Sequence, residues 1–312
     1  MTLVSIPANP VPEDAVSGTI KTRDGVNLRF ARFAPPPGRR GTVVILQGRA
    51  EFIEKYFETI RDLRTRGFAV ATLDWRGQGR SDRLLADRYK GHVRQFSDYR
   101  ADLDTFMEQV VLPDCPPPLF ALAHSMGGAI LIDACMQGRR WFDRVVLSAP
   151  MVGLPHVPLH GSASTSLAML RCLGFGSAYV PSAQKFELKD FAGNVLTSDP
   201  VRFARFRAVL DAEPGLGIGA PTIAWAHSAF QQMRRFAEPG YAARLRQPML
   251  MLAAGQDEVV STPAIEQFGM QLLAGSHVMV PGARHELLQE QDLYRQQFWA
   301  AFDAFVPGTP YY

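Results

Sequence analysis

The sequence predicts an α/β fold whose core is a mostly parallel, doubly wound sheet. Short apolar runs without strict alternation of polar and apolar residues are typical of strands that are covered on both faces. Six such runs occur in the chain: Thr42–Leu46, Phe68–Leu73, Leu119–Ala123, Val145–Ser148, Pro248–Ala253 and His277–Val280. Helix-compatible segments separate most of them, and this alternation predicts right-handed crossovers within one sheet.

The elements follow one another in a regular order along most of the chain. Before the first apolar run, Gly18–Thr22 and Asn27–Phe33 flank the turn residues Asp24-Gly25, a pattern that predicts an N-terminal antiparallel hairpin. The helices predicted between and after the apolar runs are Phe52–Thr65, Phe96–Leu112, Met126–Gln137, Pro263–Leu273 and Leu293–Phe305.

The alternation of strands and helices stops between about Pro150 and Gln247. Apolar residues in this stretch recur at helical spacing, and several fall on one helical face: Ile223, Ala226, Phe230, Met233 and Phe236. We therefore expect a helical cap at residues 150–247, inserted between a first core part at residues 1–149 and a second core part at residues 248–312. A chain of 312 residues is long enough to bury one full core and to carry such an insertion.

Composition and charge exclude several classes of protein. The formal net charge is only +3 and no cluster of Lys and Arg alternates with aromatic residues, so nucleic acid is not an expected partner. The N-terminus lacks the basic start and apolar core of a signal peptide, and no apolar run approaches the roughly 20 residues that span a bilayer. Three scattered cysteines favour free thiols and a cytoplasmic protein, with peripheral contact with the inner membrane left open. The sequence implies neither a metal nor an organic cofactor, and it leaves the oligomeric state open.

The segment Ala121–Ile130 reads Ala-Leu-Ala-His-Ser-Met-Gly-Gly-Ala-Ile, with Ser125 between an apolar run and a helix that starts with small residues. This pattern predicts a nucleophile elbow, in which a strand enters, the chain turns sharply at the serine and a helix leaves. Such a turn exposes the serine hydroxyl next to a helix N-terminus, where negative charge is favoured. Ser125 is therefore the candidate nucleophile.

A serine nucleophile needs a general base and a third group that orients the base. In this topology both are expected after the serine, on loops at the carboxyl ends of late strands. The apolar run at 248–253 leads to Asp257, and the run at 277–280 leads to His285. The order predicts His285 as the base and Asp257 as the orienting acid, with the neighbouring Glu258 as a competing acid.

Two backbone N–H groups are needed to stabilise the oxyanion that forms when the serine attacks. One is predicted at Met126, directly after the nucleophile, and the other in the loop that follows Thr42–Leu46. Gly48 lets the backbone of that loop come close to the serine, and Arg49 N–H is predicted as the second donor.

Five blocks of sequence carry a family resemblance: Gln47–Glu51 with the downstream Lys55-Tyr56, Leu73–Ser81, Ala123–Gly128, Gly255–Val260 and Gly282–Glu286. With these blocks the chain resembles the α/β-hydrolase superfamily in its serine-hydrolase branch with a helical cap, and more closely the bacterial lysophospholipases and the related monoacylglycerol lipases. Gln47 stands where monoacylglycerol lipases usually have histidine, which favours the lysophospholipase side. Ala123 replaces the first glycine of the elbow, a change that the lysophospholipase group tolerates.

The resemblance implies a carboxylic-ester hydrolase that forms an acyl-enzyme on Ser125 and acts on lysophospholipids or monoacylglycerols. Such a substrate needs an apolar slot for its acyl chain and a polar mouth for its head group. The apolar cap residues that could form the slot are Leu167, Leu170, Leu173, Phe175, Phe203, Phe206, Trp225 and Phe230. The Arg49 side chain is the candidate for the head group, whereas the basic residues between Arg80 and Arg94 favour a solvated loop over an anion site.

Two alternatives stay open. One is another Ser-His-Asp hydrolase of the same fold, such as a general carboxylesterase or a proline-type aminopeptidase; the other is a non-catalytic binding protein. A peptidase would need cap carboxylates to hold a substrate amine, and those present form no recognisable arrangement: Glu187, Asp190, Asp199, Asp211 and Glu213. A non-catalytic relative usually lacks a member of the triad, and here all three members are present.

Overall fold

A single eight-stranded sheet forms the centre of the computed structural model, which describes residues 2–35, 40–157, 159, 161–181 and 190–306. The strands are ordered β1-β2-β4-β3-β5-β6-β7-β8 across the sheet. The β2 strand pairs antiparallel with both β1 and β4, and every other neighbouring pair is parallel. The predicted fold class, a mostly parallel sheet with an N-terminal antiparallel hairpin, is confirmed.

The strands and helices have the following bounds. The strands are β1 Ala15–Lys21, β2 Asn27–Phe33, β3 Thr42–Leu46, β4 Ala69–Leu73, β5 Leu119–His124, β6 Arg144–Ser148, β7 Met249–Ala254 and β8 Gly275–Val280. The helices are α1 Phe57–Thr65, α2 Ser97–Phe106, α3 Leu112–Asp114, α4 Met126–Met136, α5 Ser162–Cys172, α6 Pro200–Ala212, α7 Ile223–Phe236, α8 Thr262–Met270 and α9 Asp292–Phe305. Among the described residues, no helix is both long and apolar enough to cross a bilayer.

Burial explains why the central strands show no polar alternation. In β3, Val44 and Leu46 belong to the hydrophobic core on one face of the sheet, whereas Val43 and Ile45 belong to the core on the other face. Both sets of side chains must therefore be apolar. The β8 strand differs from this pattern, because it is the last strand of the sheet and most of its side chains are exposed.

Among the described residues, three α-helices lie between β6 and β7, within the segment predicted to be a cap. Asp199 caps α6 by accepting hydrogen bonds from the N–H groups of Val201 and Arg202, and Thr222 caps α7 by accepting one from Trp225 N–H. The five apolar residues that predicted one helical face are all buried in α7. The division of the chain at residues 149 and 247 stays a prediction.

Parallel strands place the functional loops at one edge of the sheet. The carboxyl ends of β3, β5, β7 and β8 lead to the loop around Arg49, to Ser125, to Asp257 and to His285. In open α/β sheets this edge is where ligands bind.

Candidate active site

The backbone of Ser125 has the strained conformation of a nucleophile elbow. Its φ is +50° and its ψ is −114°, between the end of β5 and the start of α4. Gly127 has no room for a side chain, because a Cβ atom there would collide with the carbonyl oxygens of Leu46 and Gln47. The glycine thus lets α4 pack directly against the end of β3.

The structure brings Ser125, His285 and Asp257 into one hydrogen-bonded chain. The Ser125 Oγ atom lies 3.0 Å from His285 Nε2, and His285 Nδ1 lies 2.8 Å from Asp257 Oδ2. The second oxygen of Asp257 accepts the N–H groups of Val259 and Val260 at 2.8 and 2.9 Å, which fixes the carboxylate. The competing acid, Glu258, is exposed and is not hydrogen-bonded to His285.

The loop after β3 presents the Arg49 N–H group between two amides that are already in use. Gly48 N–H donates to Glu51 Oε2 at 2.5 Å, and Ala50 N–H donates to Gln78 Oε1 at 2.7 Å. Within the described residues, the Arg49 N–H between them has no acceptor. Met126 is the first residue of α4, so its N–H has no acceptor within the helix. Both predicted oxyanion donors are therefore available for a ligand.

Several side chains that the sequence analysis did not single out brace this loop. Trp75 Nε1 donates to the Gln47 carbonyl at 2.9 Å, and Gln78 Nε2 donates to the Gly48 carbonyl at 3.2 Å. Both residues lie in the Leu73–Ser81 block that resembled the family, and this block is the signal that could have pointed to them. The loop is held on both its N–H and its carbonyl groups.

A buried charged cluster lies beneath the same loop. Lys55 Nζ contacts Glu51 Oε1 at 2.9 Å and Glu286 Oε1 at 2.5 Å, and Tyr56 Oη donates to Glu51 Oε2 at 2.7 Å. Burial alone would raise the pKa of Glu51, but Lys55 keeps that pKa below its usual range, so Glu51 is ionised. Burial and the charge of Glu51 raise the pKa of Glu286, against the opposing effect of Lys55.

His124 directly precedes Ser125 at the elbow and is neutral. Its Nδ1 atom is 3.0 Å from the Ser148 carbonyl, and its ring centroid is 4.8 Å from that of His285. Burial lowers the pKa of His124 to about 4. A neutral ring next to His285 adds no positive charge that would oppose protonation of the base.

An apolar cavity of about 460 Å³ lies between α5, α7 and the chain that follows β6. The described residues of its walls are apolar apart from Ser166, and they include Leu167, Leu170, Trp225, Ala229 and Phe230. Met151 also lines the cavity, and Met151 N–H donates to the Ser125 carbonyl at 3.0 Å. Met151 therefore links the cavity to the elbow, although Ser125 and His285 do not themselves line the cavity.

Four residues expected around an acyl slot lie elsewhere. Leu173 and Phe175 are exposed beyond the end of α5. Phe203 and Phe206 are on α6, where Phe206 stacks on Phe52 with ring centroids 5.7 Å apart. These four residues therefore do not line the apolar cavity, and their role in binding an acyl chain stays a prediction.

The Arg49 side chain links the loop after β3 to the segment that carries α7. Its Nη2 donates to the Gly219 carbonyl, and its Cζ lies 5.2 Å from the centroid of the Trp225 ring. Trp225 is itself held by Tyr99, whose hydroxyl accepts a hydrogen bond from Trp225 Nε1 at 3.1 Å. Arg49 Nε is buried and has no hydrogen-bond partner among the residues that the structure describes.

The basic stretch from Arg80 to Arg94 fastens the connection between α6 and α7. Arg83 Nη2 donates to the carbonyls of Gly79 and Gly215, at 2.9 and 2.8 Å, and Arg88 Nη2 donates to Gly215 at 2.7 Å. The sequence favoured a solvated loop here. Instead, these arginines donate hydrogen bonds to backbone carbonyls of the protein itself. In the part of the chain that the structure describes, no cluster of His, Cys, Asp and Glu is arranged to hold a metal ion.

Comparison with known proteins places these features in context. A family model described as "Serine aminopeptidase, S33" matches residues 37–292. Lysophospholipase L2 of Escherichia coli (strain K12) is 34% identical over 284 residues, covering 87% of this chain and 82% of that protein. A monoacylglycerol lipase of Mycolicibacterium smegmatis is 25% identical over 279 residues, covering 86% and 89%. The solved structure of a soluble variant of Saccharomyces cerevisiae monoglyceride lipase, in complex with a substrate analogue, superposes with a TM-score of 0.74 at 21% identity, covering 95% and 97%.

Proposed function

Because the chain belongs to the serine aminopeptidase (S33) family of α/β-hydrolases, we propose that it hydrolyses carboxylic esters of lipids, with lysophospholipids or monoacylglycerols as substrates. The observation that carries the proposal is the hydrogen-bonded chain Ser125–His285–Asp257 beside an apolar cavity of about 460 Å³. These three hydrogen-bonded residues can carry out acyl transfer, and the cavity offers space for the fatty-acyl group of the substrate. The names of the relatives from Escherichia coli and Mycolicibacterium smegmatis support the same substrate class.

In the proposed acylation step, Ser125 Oγ attacks the ester carbonyl carbon while His285 Nε2 takes the hydroxyl proton. The carbonyl electrons move onto oxygen, and the N–H groups of Arg49 and Met126 stabilise the resulting oxyanion. Asp257 holds the His285 ring and stabilises the imidazolium that forms. When the tetrahedral intermediate collapses, the bond to the alcohol oxygen breaks, His285 returns the proton to that oxygen, and the acyl group stays on Ser125.

Deacylation repeats the sequence with water as the nucleophile. His285 Nε2 takes a proton from water as the water oxygen attacks the acyl carbon. The same two N–H groups hold the second oxyanion. Collapse of the intermediate breaks the bond to Ser125 Oγ, which regains its proton from His285, and the fatty acid leaves.

Trp225 and Phe230 are proposed to bind the acyl chain. Both side chains line the cavity together with Leu167 and Leu170, so a chain that enters from the elbow would pack between α5 and α7. Burying each methylene group is favourable by about 0.8 kcal/mol, which gives a long chain a clear advantage over a short one.

Peripheral contact with a lipid surface is part of the proposal, because the substrates reside in lipid aggregates. Met169, Leu173 and Phe175 are exposed at the end of α5 that lies beyond the cavity wall. Leu173→Asp should lower the fraction of protein that sediments with phosphatidylglycerol-containing vesicles. An unchanged fraction would contradict the proposed contact with a lipid surface, but it would not affect the proposal that the protein is a hydrolase.

The apolar cavity disfavours a proline-type aminopeptidase. Such an enzyme needs a carboxylate to bind the free amine of its substrate, and no described residue that lines the cavity is acidic. Of the cap carboxylates considered above, Glu187 lies outside the described residues, while Asp199 caps α6 and Glu213 pairs with Arg80. A general carboxylesterase shares the proposed chemistry and differs only in substrate size.

The test compares four substrates in one assay: lysophosphatidylcholine, lysophosphatidylethanolamine, a monoacylglycerol and a prolyl nitroanilide. We expect hydrolysis of the lipid esters and none of the anilide, with Ser125→Ala as the control for contaminating activity. A preference for the anilide would overturn the lipid proposal. Failure of a fluorophosphonate probe to label Ser125 would instead favour the non-catalytic binding protein.

A further inference from the structure

Arg49 is half-buried, and its partners differ from those of the fully buried arginines of this protein. Arg29, which is fully buried, forms ion pairs with Glu54 at 2.8 Å and with Asp74 at 2.6 Å. Other arginines with mostly buried side chains also pair with carboxylates: Arg76, Arg202 and Arg295. Within the described residues Arg49 pairs with none, although burying an unpaired charge is costly.

The local surroundings compensate the Arg49 charge only in part. Among the described residues, the guanidinium contacts one backbone carbonyl, that of Gly219, and one aromatic ring, that of Trp225, while its Nε is buried without an acceptor. Burial lowers the pKa of Arg49 to about 10, so the group stays charged at neutral pH. Among the described residues, Arg83, Arg234 and Arg284 also form no ion pair with a carboxylate, but each guanidinium donates to at least two other groups of the protein. Arg40, which has no such pair either, precedes β3 and therefore lies at the amino end of that strand, away from Ser125. Arg49 is thus the better candidate for binding an external anion.

Arg49 lies close to the place where the proposed reaction would occur. Its backbone N–H is a proposed oxyanion donor, and its guanidinium lies against Trp225, which lines the acyl cavity. The guanidinium fits there because residue 91 is glycine; a Cβ atom at Gly91 would collide with Arg49 Nη2. The charge therefore lies a side-chain length from the ester carbonyl, at the boundary between the cavity and the loop after β3.

We propose that the Arg49 guanidinium binds the phosphate of a glycerophosphate head group. The inference rests on the proposed function and narrows its substrate class to lysophospholipids over neutral monoacylglycerols. In a lysophospholipid only the glycerol backbone separates the phosphate from the ester, so one arginine beside the oxyanion site can reach it. A planar guanidinium suits this task, because it can donate two parallel N–H bonds to phosphate oxygens.

The test measures binding of two inhibitors that cannot be cleaved because an ether replaces the ester: 1-O-hexylglycerol 3-phosphate and phosphate-free 1-O-hexylglycerol. Each is titrated against hydrolysis of a short-chain nitrophenyl ester, and the ratio of the two inhibition constants reports the preference for phosphate. We expect Arg49→Met to reduce that preference about ten-fold or more, which corresponds to the loss of a charge-assisted hydrogen bond. Arg49→Lys should retain part of it, and thermal denaturation checks that both variants fold.

Arg94→Met is the matched control, since Arg94 is exposed on the same loop as Gly91 and its removal changes the net charge equally. The preference should survive in this variant. Three results would overturn the inference: no preference in the unaltered protein, an equal weakening of both inhibitors in Arg49→Met, or an equal loss in Arg94→Met. If the protein prefers the phosphate inhibitor but hydrolyses no lysophospholipid, the proposed function fails while the anion site stands.

Discussion

The two halves of the segment between β6 and β7 contact the rest of the protein in different ways. The cavity half, formed by α5 and α7, encloses an apolar space beside Ser125. The clamped half, formed by α6, is joined to the core by charge. Arg202 and Arg205 of α6 both contact Glu58 of α1, and Arg202 also contacts Asp292 at the start of α9.

This difference shows how one insertion serves two purposes. Ion pairs with several partners fix the direction of α6, because each guanidinium requires a defined geometry. Apolar contacts between α5 and α7 impose no such geometry, and so they can border a space that accepts chains of varied shape. We infer that the clamped half positions the loop beneath the active site and that the cavity half selects the substrate.

Ser125→Ala provides the largest expected effect and the baseline for both halves. Removing the nucleophile should lower kcat for every ester on the order of 10⁵-fold, whichever half binds the rest of the substrate. The measurement is turnover of a nitrophenyl ester and of a lysophospholipid at saturating substrate. Substantial activity on either substrate would mean that a second nucleophile acts. The two halves could then not be compared by their effects on a reaction at Ser125.

Lys55→Met tests whether contacts at the clamped half affect the rate of the reaction. Lys55 Nζ lies 4.8 Å from the centroid of the Phe206 ring of α6 and also pairs with Glu51, which holds the Gly48 N–H. Without the lysine, burial raises the pKa of Glu51 and the loop loses its anchor at neutral pH. We expect kcat to fall about 10²-fold, with a smaller change in KM and with activity that recovers as pH rises.

Lys55→Arg is the control, because it keeps the positive charge between the two carboxylates. It should retain more activity than Lys55→Met and should keep the pH profile of the unaltered protein. A fall in stability without a change in kcat would limit Lys55 to a structural role.

Ala229→Phe tests the cavity half alone. Ala229 is buried in α7 and lines the cavity, so a phenyl ring there would occupy space for the acyl chain. The ratio of kcat/KM for a long-chain ester to that for a short-chain ester should fall about 30-fold, within the range of a few kcal/mol that apolar pockets can discriminate. Met270→Phe, at an exposed position in α8, is the matched control; a similar fall there would mean that the ratio does not report the cavity.

Glu58→Gln tests the clamped half alone and should have the smallest effect on turnover. Burial alone would raise the pKa of Glu58, but the hydrogen bond from Arg202 and the charges of Arg295 and Arg205 lower it from 4.5 to about 2. Its contribution to stability, about 3 kcal/mol at most, is therefore present above pH 4.5 and is lost as pH falls toward 2.

Urea unfolding at several pH values measures this contribution. The unaltered protein should be more stable than Glu58→Gln at neutral pH, and the difference should disappear in acid. The ratio of long-chain to short-chain activity should not change. A shift in that ratio would mean that α6 also selects the substrate, which would break the division between the halves.

Short sequence patterns were enough to predict that Ser125, Asp257 and His285 would lie close together. The elbow at Ser125 and the loops at Asp257 and His285 each directly follow a strand, so strand order alone indicated that they would meet. Their catalytic roles remain predictions.

Contacts between distant parts of the chain explain what sequence reasoning missed. The Lys55–Glu286 pair joins residues 231 positions apart, and nothing near either residue signals the other. Leu170 and Leu173 lie one helical turn apart, yet one lines the cavity and the other is exposed. Which of the two faces inward depends on how α5 meets α7, and the apolar pattern of one helix does not contain that information.

The positive φ of Ser125 has a consequence for the evolution of this fold. A non-glycine residue in this region costs roughly 1–3 kcal/mol, which the surrounding core has to offset. Glycine adopts the conformation freely, so Ser125→Gly should melt at a higher temperature than Ser125→Ala, although neither has a nucleophile. Stability alone would therefore favour glycine at this turn, and a serine in its place is what the proposed nucleophilic role requires.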